Sequence, residues 1–163
     1  MSERNTTQVP LKQLLPIIEE QMSAGGLVTF SPRGISMLPL IREGKDSVTL
    51  CRPPKRLKKY DLPLYRRDSG QFVLHRVVAV KKDGTYTMCG DNQWVLEHGI
   101  RQDQIIAVVS SLHRDGKDIS IDTPEYMRYS RRRVRQQYWK GLYYRLRARA
   151  AGIIKKRLKN TSA

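Results

Sequence analysis

The sequence predicts a mainly β, overall α+β chain: a body of short antiparallel strands, a short helix before it and a basic helical tail after it. Three observations predict it. Between Leu27 and Leu112, β-forming residues come in short runs divided by turn-forming clusters. Two Asp-Gly pairs lie between such runs, where tight hairpins need them. After residue 122 the apolar residues switch to spacings of three and four. At 163 residues the chain has room for one folded body of about 120 residues with its own core. The expected divisions are 1–26 (extension and helix), 27–122 (body) and 123–163 (tail).

From Leu11, the apolar Leu14, Leu15, Ile17, Ile18 and Met22 fit one helical face, and Gly25-Gly26 ends the pattern. Pro16 restricts this helix to an early-turn start or a kink. Packed by that face, it would cap the body. Strands are expected at 27–31, 47–51, 71–80, 85–89 and 105–112. Pro63 falls where a further strand belongs, which points to an edge or a bulge. Asp83-Gly84 joins two of the runs as a hairpin, and Asp115-Gly116 makes a second turn before Ile119 and Ile121. Asp122-Thr123-Pro124-Glu125 reads as a helix start: a capping side chain, proline in the first turn and an acid at the positive end. The helical pattern runs through Tyr138, Trp139, Leu142, Tyr143, Leu146, Ala150, Ile153, Ile154 and Leu158, with Gly141 and Gly152 as points of division.

The net charge of +16 is unevenly placed. Residues 128–159 hold 13 of the 31 Lys and Arg and no Asp or Glu, so the remainder carries 18 basic against 15 acidic residues. A nearly neutral body with a cationic appendage is a different object from a uniformly basic nucleic-acid binder. The tail fits several roles: an interfacial helix on an anionic membrane, a solvated helix packed on the body, a disordered tail and, ranked lower, a nucleic-acid contact. No apolar run approaches the roughly 18 residues of a membrane span, and the N-terminus lacks a signal-peptide pattern. The expected location is cytoplasmic, peripheral to the membrane if the tail binds lipid. Cys51 and Cys89 are too few for a disulfide framework, and no His/Cys spacing suits zinc. No metal or cofactor is expected.

Three motifs supply the residue types of nucleophilic catalysis: Gly34-Ile35-Ser36-Met37-Leu38-Pro39, Leu74-His75-Arg76-Val77 and Gly90-Asp91-Asn92. A serine hydroxyl needs a base to take its proton, and an imidazole needs a partner to hold its tautomer. Gly34 permits an unusual backbone angle or the close approach of a substrate chain, and Pro39 fixes a turn beyond Ser36. The Ser36 N–H is a candidate oxyanion donor. His75 lies between apolar neighbours that would hold the imidazole rigidly. Each motif alone is an ordinary turn or strand.

Taken together and in this order, they resemble the type I signal peptidases and the self-cleaving LexA-type repressors, most closely the signal-peptidase branch that uses histidine as its base. The match is Ser36-Met37-Leu38-Pro39, His75-Arg76-Val77 and Gly90-Asp91-Asn92, within residues 27–112. The resemblance implies coiled antiparallel sheets, Ser36 as nucleophile, His75 as general base and Asp91 as its acidic partner. It also implies that Gly34, Met37, Pro39 and Arg76 contact an extended peptide or precursor with small side chains before the cut. Leu27–Arg33 is the expected pairing edge for that peptide. Departures are Gly44-Lys45-Asp46 and Tyr60-Asp61 in place of the family's Gly-Asp pairs, and the lack of a membrane anchor. A second acid sometimes follows the Gly-Asp-Asn box, with Glu97 and Asp103 as candidates. Rival expectations are an inactive peptide-binding module on the same fold and a nucleic-acid-binding regulator using the tail.

Overall fold

Hydrogen-bonded pairing sorts the strands into two antiparallel sheets. The computed structural model describes residues 11–161, with the side chains at 11, 12, 14, 145, 146 and 148–161 outside that description. The larger sheet contains β1 (Val28–Phe30), β2 (Ser47–Cys51), β3 (Pro63–Arg66), β4 (Phe72–Leu74), β8 (Ile105–Arg114) and β9 (Lys117–Ser120). Its order is β1-β2-β8-β3-β4, with β9 paired to β8. The smaller sheet contains β5 (Arg76–Val80), β6 (Tyr86–Cys89) and β7 (Glu97–Ile100), in that order. The architecture is thus mixed α/β, with antiparallel sheets and two helices.

The expected run at 71–80 divides at His75. β4 belongs to the larger sheet and β5 to the smaller, so His75 sits at the seam between them. Pro63 opens β3, and β3 is not an edge strand: β4 and β8 flank it, with a bulge between Leu64 and Tyr65. Proline is tolerated there because it is the first residue of the strand. β7 was not expected, because Glu97-His98-Gly99 lacks apolar alternation. Both Asp-Gly turns form as read. Asp115 and Gly116 take φ of +50° and +75°, the left-handed pair that a two-residue hairpin requires.

Helix α1 (Leu11–Ser23) buries Leu15, Ile18 and Met22. Ile17 lies off that face, 53% exposed, because one residue is a turn of about 100° from Ile18. Leu14, assigned to the same face, is outside the described side chains. Ile18 and Met22 join Val48, Leu50, Leu64, Val109 and Leu112 in the first core. Tyr65, Val77, Tyr86, Met88 and Ile100 form a second core that draws on both sheets.

Helix α2 (Pro124–Thr161) is continuous through Gly141 and Gly152, where division was expected. The Tyr126 N–H donates to Thr123 Oγ1 at 3.3 Å, the capping contact. The expected break at 122–123 does not separate this helix from the body, because Tyr126, Ser130, Val134 and Gln137 are all buried against it. Two polar residues alternate with two apolar ones in this stripe, so hydrophobic spacing pointed instead to later positions. Of those, Tyr138, Trp139, Leu142 and Tyr143 are exposed. Leu146, Ala150, Ile153, Ile154 and Leu158 are outside the described side chains. Among the described residues, no helix is long and apolar enough to cross a membrane.

Candidate active site

Ser36 lies in the turn that follows β1. Gly34 there takes φ of +93°, a conformation costly for any residue with a Cβ. Met37, 4% exposed in the first core, pins the turn from below. The turn's carbonyls are held from several directions. Arg114 Nη1 donates to the Pro39 oxygen at 2.8 Å, Arg133 Nη2 to the Leu38 oxygen at 3.3 Å, and the Asn92 N–H to the Ser36 oxygen at 2.7 Å.

The last of these bonds joins the serine turn to the Gly-Asp-Asn box, and Gly90 explains how closely they meet. A Cβ at Gly90 would stand 2.7 Å from the Ser36 carbonyl oxygen and 3.0 Å from His75 Nε2. Only glycine leaves room for both. The structure therefore brings Ser36, His75 and Gly90 together, with His75 Nε2 on the serine side. A cleft of about 230 Å³ opens there, lined by Gly34, Ser36, Met37, Phe72, Leu74 and His75 among others. Its walls include residues 32–34, directly after β1, and residues 72–74 of β4. Those strands are the two ends of the larger sheet.

The other imidazole nitrogen shows what orients His75. The Tyr65 hydroxyl lies 3.3 Å from Nδ1 and donates to Glu97 Oε2 at 3.1 Å. A phenol has one proton, so a Tyr65 that donates to Glu97 can only accept from His75. That places a proton on Nδ1 and leaves the Nε2 lone pair free on the side of the ring that borders Gly90. Glu97 is held in turn by Arg67, whose Nε lies 2.9 Å from Oε1. Burial works to raise the Glu97 carboxyl, but the Arg67 bonds and charge, with the Tyr65 bond, hold it below its ordinary range. Burial and the neighbouring Glu97 charge push the Tyr65 phenol up, so it keeps its proton. Burial, then the Arg67 charge, lowers His75 to about 4 against the opposing pull of Glu97 and Asp91. The imidazole is neutral at pH 7.

Two expectations are corrected. Asp91, expected to hold His75, instead faces Arg76: Nε to Oδ1 and Nη2 to Oδ2 are both 2.8 Å, and Tyr129 donates to Oδ2 at 3.0 Å. Arg76, expected beside the substrate, is 0% exposed, and its Nη1 donates to the Tyr60 carbonyl, Tyr126 and Ser130. Successive side chains of an extended segment point to opposite faces, so His75 facing the cleft sends Arg76 into the interior. Burial works against the guanidinium charge, but the Asp91 bonds and charge, with the Tyr126 hydroxyl, outweigh it and hold Arg76 above its ordinary value. Of the other named residues, Gly34 and Met37 line the cleft, while Pro39 is an exposed residue of the turn. Asp103 is exposed and paired with Arg101, whereas Glu97 is the acid joined to His75.

Sequence reasoning missed Tyr65, Arg67 and the anchoring face of α2. Arg133 Nε donates to the Asp91 carbonyl at 2.7 Å and Gln137 Nε2 to the Gly90 carbonyl at 2.6 Å. The missed signal was the polar half of a helical stripe, Ser130 and Gln137 in register with Tyr126 and Val134. Burial pushes the Cys89 thiol up to about 12, and neither Cys89 nor Cys51 forms a disulfide. Among the described residues, no three His, Cys, Asp or Glu side chains cluster as metal ligands. Comparison with family models, curated proteins and solved structures returns no match.

Proposed function

We propose that this chain is a serine endopeptidase resembling the histidine-base signal peptidases, acting on an extended peptide or precursor. The coiled-sheet catalytic domain of that family and a cytoplasmic location are parts of the same proposal. One observation carries it: His75 is held through Nδ1 by Tyr65 and Glu97, while its Nε2 and the Ser36 backbone both border Gly90 and both residues line one cleft. The Ser36 hydroxyl attacks the scissile carbonyl as Nε2 takes its proton. Collapse of the tetrahedral species breaks the C–N bond, and His75 returns the proton to the leaving amine. Water, deprotonated by the same nitrogen, then hydrolyses the Ser36 ester. The substrate backbone lies between residues 32–34 and β4, adding to sheet edges that already end at the cleft.

The test is intact-mass spectrometry with an acylating serine probe and a mixed peptide library. The expected result is one adduct on Ser36 and cleaved peptides, both lost in Ser36→Ala and His75→Ala. A folded protein with neither adduct nor products would overturn the proposal. It would favour the second reading, peptide binding without turnover, for which the weak basicity of His75 is the supporting observation.

A further inference from the structure

We propose that the outer face of α2, with the Lys59–Tyr60 turn, is a docking surface for an anionic lipid bilayer. This goes beyond the peptidase reading and stands without it. Once Tyr126, Ser130, Val134 and Gln137 have faced inward, the adjoining side of the helix borders an open groove of about 1180 Å³. Arg128, Arg131, Arg132 and Arg135 line it, all exposed, with Lys59 across from them. No acidic side chain lines the groove, and none occurs anywhere in residues 128–159. Four guanidinium groups within two helical turns repel one another unless an anionic partner covers them, and that complementarity selects a negatively charged surface.

The aromatic end of the groove narrows the choice to lipid. Tyr138 and Trp139 are 67% and 66% exposed, followed by the exposed Leu142 and Tyr143. Further along the helix Tyr144 stacks on Trp94, ring centroids 4.7 Å apart. Tryptophan and tyrosine place an apolar ring and a polar tip at a membrane boundary, while arginine holds the phosphate above them. An exposed leucine such as Leu142 gains nothing from a phosphodiester backbone but gains from acyl chains, so a bilayer fits this face better than a nucleic acid does.

The experiment uses the full chain and vesicles of phosphatidylcholine with and without phosphatidylglycerol. The chain has two tryptophans, so Trp94→Phe leaves Trp139 as the sole reporter. The proposal expects co-sedimentation only with phosphatidylglycerol and quenching of Trp139 by brominated lipid. It also expects binding weakened about tenfold or more in Arg131→Gln/Arg135→Gln. Both positions are exposed, so the variant should melt like the parent; if it fails to fold, the Trp139 quenching decides. Folded protein that leaves anionic vesicles unbound would overturn the proposal. So would an unquenched Trp139, undiminished binding in the double variant, or tighter binding to an oligonucleotide at the same ionic strength.

Discussion

Two arginine–carboxylate pairs flank His75, and they serve opposite ends. Arg76–Asp91 is sealed, with both side chains 0% exposed, and is braced by Tyr126, Tyr129 and Ser130 of α2. Arg67–Glu97 lies at the cleft, 32% and 24% exposed, and reaches the imidazole through Tyr65. The sealed pair holds the helix, the smaller sheet and the Gly-Asp-Asn box together; the open pair orients the imidazole at the cleft. The difference teaches that a motif residue placed next to a cleft residue in sequence can belong wholly to the scaffold.

The strongest way to break the comparison is to unpair the buried charge. Asp91→Ala should cost about 3–5 kcal/mol in urea unfolding, because Arg76 would be left charged without its partner. A loss under about 1 kcal/mol would remove the pair from its structural role. Glu97→Gln should do the reverse, leaving stability within about 1 kcal/mol while peptide cleavage falls about a hundredfold. Equal losses of stability in the two variants would erase the distinction. Gly90→Ala tests the ground between them. Its Cβ would meet the Ser36 carbonyl, so we expect a loss of about 1–3 kcal/mol on thermal unfolding together with lost cleavage.

The smallest effect sharpens the open pair by pH. Since His75 is lowered from 6.5 to about 4, the folded chain takes up this proton later than the unfolded chain does. Stability should therefore fall as pH drops from about 6.5 towards about 4. The acid limb of kcat/KM should lie near the lower value, and its position in a pH–rate profile checks this. Arg67→Gln removes a charge that lowers His75, so that limb should move to higher pH. A limb that stays in place would show that Arg67 does not act on the imidazole.

Much of the fold was legible in residues with strong local preferences. Asp83-Gly84 and Asp115-Gly116 specify turns through backbone angles, and Thr123-Pro124 specifies a helix start through its cap and fixed φ. The site was legible only in part. Ser36, His75 and Gly90 were named and do meet, whereas the acid joined to His75 is Glu97, on a strand with no apolar alternation. Nothing local separates Asp91 from Glu97, because both are short-range polar residues after the same strand. Their roles follow from which cation each one faces.

By itself the sequence determined the β-rich body, the two hairpins, the helical and cationic C-terminal segment, and the residue types available for nucleophilic chemistry. These depend on side-chain shape and charge acting within a few residues. Only the tertiary structure decided that His75 sits at a seam between sheets, that Arg76 is buried, that Tyr65 carries Glu97 to the imidazole, and that the described side chains of α2 divide between a buried stripe and an exposed side. Each of these joins residues distant along the chain, and which distant residues meet is set by packing the whole core at once rather than by any local preference.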